Sequence, residues 1–287
     1  MHFDRSLTFL AGLPARLSPR VTRVLAPNPS PFTFKGTGVY LVEDGDDVIA
    51  IDPGPDMPEH IAALKRVIGT RKLRAILITH THRDHSPAAR ALKAWSGATV
   101  YAAAPAPHAA ANEGQVDEAH DHDFVPDVIV KDGERVAGLT CVATPGHTAN
   151  HMCFALEAEK ALFSGDHVMG WSTSVIAPPD GDMAAYLESL ERLRTRNDQI
   201  YYPTHGSPIA DPQGWLRDLI AHRHERAAQV ADAVVSGSDT IETIAAQLYP
   251  DLDPALRSAA KAQVKAHLDL LEKQRRVMRD GVRYRPL

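Results

Sequence analysis

Up to about residue 210 the chain alternates short apolar runs with stretches whose apolar positions recur every three or four residues. Residues 38–43 (GVYLVE) and 47–52 (DVIAID) are β-rich runs on either side of the turn-like Asp44-Gly45-Asp46. Apolar residues at 57, 61, 64, 67 and 68, with Pro58 at the start and Gly69 at the end, predict a helix over 57–68. Residues 74–79 (RAILIT) predict a buried strand, 86–95 a helix and 99–102 a further strand. Strands follow at 127–130, 138–144, 151–156 and 160–164, then a helix at 182–194 and a last strand at 199–202. The alternation implies α/β layers, and the run from 127 to 164 an antiparallel meander. A sheet sandwich with outer helices satisfies both.

From Asp211 onward the pattern is almost wholly helical, over 211–235, 239–248 and 254–275. Asp239 with Glu242 resembles a capping box, and Asp253-Pro254 reads as an N-cap followed by proline at the first helical position. Apolar residues at 256, 260, 264, 268 and 271 form the last helix's stripe, and two short extended runs flank the turn at Asp280-Gly281. Three helices and a hairpin are the element order of a winged-helix module. The expected division is therefore a catalytic domain over 1–210 and a winged-helix-like domain over 211–287.

Composition changes this picture little. The 287 residues are 44% hydrophobic and 23% charged with net charge −5, which excludes disorder and a basic surface throughout, though not a local basic patch. The longest uncharged stretch, 97–112, contains two prolines and a histidine and is too short to span a bilayer. Asp4 and Arg5 before a short apolar run make a poor signal peptide. The two cysteines, Cys141 and Cys153, are too few for a disulfide scaffold; they could pair across neighbouring strands, but are expected as buried free thiols. A soluble cytoplasmic protein is expected, with no membrane partner.

Histidine is the exception, with 15 copies, several beside aspartate. Thr79-His80-Thr81-His82-Arg83-Asp84-His85 follows an apolar strand and precedes a helix, so four potential ligands fall within six residues. In extended chain His80 and His82 point the same way and can grip one ion, while Asp84 and His85 fall on the turn beyond, displaced towards a second. Such a set in an apolar core would need a partner for every side chain, whereas it is typical of a metal site. Thr144-Pro145-Gly146-His147-Thr148, Ser164-Gly165-Asp166-His167 and Pro203-Thr204-His205-Gly206 repeat the grammar of strand end and tight turn.

THTHRDH, TPGHT, FSGDH and PTHG, in this order and after IDPG at 51–54, resemble the motif series of the metallo-β-lactamase superfamily. The resemblance implies an αββα sandwich with a dinuclear site at the sheet edge. Position by position it implies that His80, His82 and His147 hold one ion and that Asp84, His85 and His205 hold the other. Asp166 bridges them and Asp52 orients a ligand imidazole. The stretches 28–42, 144–152 and 163–190 and the tail's element order resemble the lactamase-like endoribonuclease branch that carries a C-terminal winged helix. Pro87-Ala88, where that family often has a Gly-Gly pair, is a departure at the helix start.

Ligands of this type without cysteine suit two Zn²⁺, with Mn²⁺ and Fe²⁺ left open. Water on such ions has a pKa lowered to about 7, so the implied chemistry is hydrolysis by a metal-bridging hydroxide, with Asp84 and His85 as the catalytic residues. Two divalent ions against Asp84, Asp166 and hydroxide leave a site that favours an anionic substrate. Single-stranded RNA is the first substrate expected. The alternative is a small-molecule acyl compound, through a thioesterase of glyoxalase II type, a lactonase or a weak β-lactamase-like activity. Residues 251–287 hold nine Lys/Arg against five Asp/Glu, net +4 beside −9 for residues 1–250. That balance suits a phosphate backbone, and equally a solvated helix face with charge pairs or a homodimer contact.

Other residues are read more plainly. His151 either hydrogen-bonds a ligand or sits passively on its strand, and His167 points away from the ions. Trp171, Ser172, Thr173 and Ser174 lie after Asp166 where substrate enters, and either contact it or only pack. Phe32 and Phe34 line the same mouth or belong to the core. His108, His120 and His122 are expected on a solvated loop, His222 and His224 on a helix surface.

Overall fold

The computed structural model describes residues 2–105 and 120–287. A first sheet runs β1 (Pro14–Arg16), β2 (Val21–Leu25), β3 (Gly38–Asp44), β4 (Asp47–Ile51), β5 (Lys72–Ile78), β6 (Thr99–Ala102) and β7 (Val128–Ile129), side by side in that order. β1 to β4 pair antiparallel, and β4 to β7 pair parallel. The parallel crossovers are made by α1 (Pro58–Ile68) and α2 (Ala88–Ser96). A second sheet has the order β12 (Ile200–Pro203), β11 (Ala161–Gly165), β10 (Met152–Leu156), β9 (Leu139–Ala143) and β8 (Arg135–Val136). α3 (Met183–Arg194) makes the parallel crossover from β11 to β12.

Side-chain alternation builds three apolar layers from these elements. Ala75 and Leu77 of β5 meet Phe154 and Phe163 between the sheets, while Ile76 and Ile78 point to the other face, onto Leu64 of α1 and Leu92 of α2. In β10, Met152, Phe154 and Leu156 face the same inter-sheet layer, and Cys153 and Ala155 face Tyr186 and Leu190 of α3. Strands buried on both faces explain why the runs are apolar throughout rather than alternating. Cys141 pairs with Phe154 across the ladder and Cys153 with Val142, so the two thiols are on opposite faces. Both are free and buried.

The tail continues with α4 (Pro212–Val235), α5 (Ile241–Leu248), a 3₁₀ turn Pro254–Leu256, α6 (Arg257–Lys273) and the hairpin β13 (Val277–Asp280) and β14 (Arg283–Pro286). Leu216, Leu219 and Ile220 of α4 and Ala266 and Leu270 of α6 share one core with β9, β10, β11 and α3. The far half of α4, with Val230 and Val234, packs instead on Ile244, Leu268 and Tyr284. The long helix therefore spans two cores. No helix among the described residues is long and apolar enough to cross a membrane.

The sandwich and the helical tail agree with the fold expected from the sequence, and four details differ. β1 and β2 were not predicted, because Arg23 and Thr22 interrupt the run Val21–Leu25 and mimic a polar break. β7 joins the first sheet parallel to β6 rather than opening a meander. α2 starts at Ala88, whose N–H donates to Gly54 O, rather than at residue 86. The capping box of α5 is Thr240 with Thr243. Asp239 instead pairs with Arg283 and lends its carbonyl to Tyr284 N, tying the hairpin to the start of α5.

Candidate metal centre

Five loops, each leaving the C-terminal end of a strand, converge at one edge of the sandwich. β4 leads to Asp52, β5 to 79–85, β9 to 144–148, β11 to Asp166 and β12 to His205. Gly146, φ +144°, allows the turn before His147 to sit against α3, since a Cβ there would lie 2.3 Å from Tyr186 Cα.

Two ligand-sized groups result, and a third joins them. His80 Nε2 lies 2.9 Å from His82 Nδ1, and His147 Nε2 lies 3.3 Å from that same nitrogen. Beside this trio, Asp84 Oδ2 lies 3.3 Å from His85 Nε2 and 3.0 Å from His205 Nε2. Asp166 Oδ2 lies 3.5 Å from His85 Nε2 and 3.4 Å from His205 Nε2. It also forms a ligand-sized group with His80 and His85 and so touches both halves.

Electrostatics differ between the halves. Burial, reinforced by the neighbouring imidazoles, holds His80 and His82 well below the usual imidazole range, and burial lowers His147 too. All three are neutral at pH 7, with lone pairs available. Burial would raise Asp84 and Asp166, but the adjacent His85 and His205 outweigh it and hold both carboxyls well below the usual carboxylate range. In return, burial would lower His205, yet Asp166 and Asp84 against its Nε2 push it up to about 10.

These residues fit divalent cations. Three neutral imidazoles aiming nitrogens at one another cannot satisfy themselves with protons alone, whereas a cation between them would use every lone pair. His85 Nε2 and Asp166 Oδ1 are buried without a hydrogen-bond partner, as open ligand positions require.

An outer ring fixes the orientation of these groups. His85 Nδ1 meets Asp52 Oδ2 at 2.9 Å, His147 Nδ1 meets Val175 O at 2.6 Å, His205 Nδ1 meets Gly36 O at 3.2 Å and His80 Nδ1 meets Thr79 Oγ1 at 3.0 Å. Thr37 Oγ1 donates to Asp84 Oδ2 at 3.2 Å and accepts from Asn28 Nδ2. Arg23, buried in β2, donates to Gly206 O at 2.6 Å and Thr204 O at 3.0 Å, the carbonyls flanking His205. Arg23 gave no sequence signal as a site residue.

The remaining singled-out residues separate clearly. His151 bonds Thr144 Oγ1 at 2.8 Å and packs its ring 5.2 Å from His80. His167 is buried with its ring 4.6 Å from Tyr186. Trp171 stacks on Phe34 at 4.9 Å and abuts Gly206, with Ser172 and Thr173 half-buried beside it. Ser174 is buried and turned inward, which favours packing over substrate contact.

His120 departs from the solvated loop expected of it. It is buried, bridges His82 through the backbone and places Nε2 3.4 Å from the buried Asp180. The cause lies next door, where Asp121 N donates to Thr81 O and its carboxylate takes Ser86 Oγ and Arg90, pinning the segment to the ligand turn. His122 is exposed, and His108 lies outside the described residues.

An αββα sandwich that gathers such groups at its strand ends has the architecture of a metal-dependent hydrolase. The chain belongs to the Metallo-beta-lactamase superfamily, whose model matches residues 33–205, and a Beta-lactamase associated winged helix domain matches residues 240–283. The atrochrysone carboxyl ACP thioesterase of Aspergillus chevalieri is 35% identical over 76% of this chain and 67% of that protein. The Beta-lactamase-like protein 2 homolog of Caenorhabditis elegans is 32% identical over 93% of this chain and 87% of that protein. The chain spans about two thirds of the length of the fungal relatives, 65% for a lactamase-like protein of Emericella nidulans. A beta-lactamase domain protein from Burkholderia ambifaria shares the fold with a TM-score of 0.82 and 21% identity, covering 99% of this chain and 97% of that one.

Proposed function

We propose that this superfamily hydrolase cleaves acyl thioesters. The observation that carries the reading is the 35% identity to a protein named as a thioesterase, which extends over most of the chain. The tail adds less to the ribonuclease alternative than its charge suggests. Lys261 pairs with Glu242, Lys265 with Asp269, Lys273 with Asp182 and Arg283 with Asp239. Cations engaged in this way have less to offer a phosphate backbone. The apolar Trp171–Phe34 stack beside His205 suits an acyl group at the mouth.

His80, His82 and His147 would hold one divalent ion and Asp84, His85 and His205 the other, with Asp166 between them. Zn²⁺ is our assignment from the donor set, with Mn²⁺ or Fe²⁺ as alternatives. Bound ions supply Lewis acidity and bring the pKa of water to about 7. Asp84, ionised and steadied by Thr37, would orient the attacking water and take its proton as the oxygen adds to the acyl carbon. The C–S bond then breaks, and the thiolate takes up that proton. Trp171, Ser172 and Thr173 border the entry.

The test is thiol release from acyl-CoA and acyl-pantetheine esters by metal-loaded protein, run beside end-labelled single-stranded RNA and a folded His82→Ala variant. Release that disappears in the variant and after chelation is expected. Metal-dependent cutting of the RNA with no thiol release would overturn the reading in favour of a ribonuclease.

A further inference from the structure

The C-terminal helices meet the surroundings of the metal centre at the buried residue Ser174. Arg223 of α4 donates from an Nη to Ser174 O at 2.6 Å, and Gln263 of α6 donates from Nε2 to the same oxygen at 2.8 Å. The next carbonyl along the chain, Val175 O, lies 2.6 Å from His147 Nδ1. The Ser174 hydroxyl donates to Asp166 O at 2.5 Å. One residue thus touches the supports of two proposed ligands, and its carbonyl takes both of its side-chain donors from the tail.

Energetics argue that this contact is more than packing. Arg223 is 2% exposed and has no carboxylate partner among the described ion pairs; its guanidinium lies over the Tyr186 ring at 5.0 Å. A buried cation is costly unless its hydrogen bonds are well placed, so the arginine is held where its donor meets the Ser174 carbonyl. Two donors on one carbonyl fix the peptide plane between residues 174 and 175. Anchoring that plane restrains the backbone entering Val175, whose own carbonyl on the following plane meets His147 Nδ1 and orients its ring.

We infer that Arg223 and Gln263 are positioning residues for the metal centre, so that the winged-helix tail sets ligand geometry at His147 and Asp166 through Ser174. The inference rests on the reading of His147 and Asp166 as ligands.

Full-length protein loaded with Co²⁺ tests it, as wild type, Gln263→Met and Arg223→Lys. Gln263→Met keeps side-chain volume and removes the donor, so it is expected to fold with its thermal midpoint retained. Its affinity for one of two Co²⁺ ions is expected to fall about 10-fold, with an altered visible ligand-field spectrum. Arg223→Lys keeps the charge but shortens the reach and is expected to shift the spectrum in the same direction. Wild-type affinity and spectrum in a folded Gln263→Met protein would overturn the inference, whatever Arg223→Lys does. Wild-type protein that takes up no Co²⁺ would overturn it together with the ligand reading. Wild-type protein that binds Co²⁺ but releases no thiol would count against the thioesterase reading alone and leave this comparison decisive.

Discussion

Asp52 Oδ2 lies 2.9 Å from His85 Nδ1, while the same carboxylate accepts from Thr79 N, Thr79 Oγ1 and Thr204 Oγ1. Four donors converge on one acidic side chain that links the loops after β4, β5 and β12. Replacement by Asn would turn an amide N–H₂ towards one of those donors. Asp52→Asn is therefore expected to weaken metal binding 10- to 100-fold with the fold retained. Asp52 has φ +48°, a region Asn tolerates, so Asp52→Ala should lose stability in addition, by about 1–2 kcal/mol. Metal titration and denaturant melts of both variants check this. Equal metal affinity in Asp52→Asn and wild type would refute the role.

Arg23 spans the two carbonyls around His205; Thr204 O keeps a second donor in Gly38 N, so it is Gly206 O whose loss of the arginine costs about 1–3 kcal/mol. Arg23→Met should lower the thermal midpoint and weaken metal retention. A subtler route is Gly38→Ala. Gly38 does not have a positive φ, but a Cβ there would lie 2.1 Å from Arg23 Nε. One added methyl group should then reproduce much of the Arg23→Met effect. A Gly38→Ala protein as stable as wild type would mean that the arginine moves aside freely.

How much of this was legible depends on the range of the interaction. The strand ends announced themselves because β5, β9 and β11 are apolar runs followed at once by polar turns, a local signal. The ligand set was local in the same sense, four of its members lying in residues 80–85. Arg23 was illegible because a buried arginine in a strand reads as a surface residue until Thr204 and Gly206, far along the chain, supply its acceptors. His120 sits in a polar stretch whose composition resembles a solvated loop, and contacts with residues distant in sequence, Thr81, Ser86 and Arg90 among them, bury it. Ser174 with Arg223 and Gln263 joins three distant segments, and no periodicity reports such a junction.

Metal removal should cost stability as well as activity. An ion present at 1,000 times its Kd stabilises the folded state by about 4 kcal/mol. In its absence Asp84 and Asp166 face protonated His205 in place of a cation. Chelation is expected to lower the thermal midpoint by several degrees, and readdition of Zn²⁺ to restore it. A midpoint indifferent to chelator, measured by calorimetry, would argue that the His and Asp groups hold no metal.

His267 makes a pH-dependent contribution that is separable from the metal centre. It is 2% exposed on α6, with Nδ1 lacking a hydrogen-bond partner. Burial, with Arg223, Arg226 and His222 nearby, pushes its imidazole down to about 3. The folded value is below the unfolded one near 6.5, so the unfolded chain takes up the proton first as the pH falls. The stability conferred by the neutral ring is complete above pH 6.5 and declines towards pH 3. At pH 5 the loss amounts to about 2 kcal/mol. His267→Leu removes the titration while filling most of the volume. Urea unfolding of both chelated proteins at pH 7.5 and pH 5 should show the variant gaining about 2 kcal/mol relative to wild type on acidification. Chelation keeps metal release out of the comparison, and the other buried histidines titrate in both proteins. Identical pH dependence would mean that His267 already carries its proton in the fold, or that water reaches it.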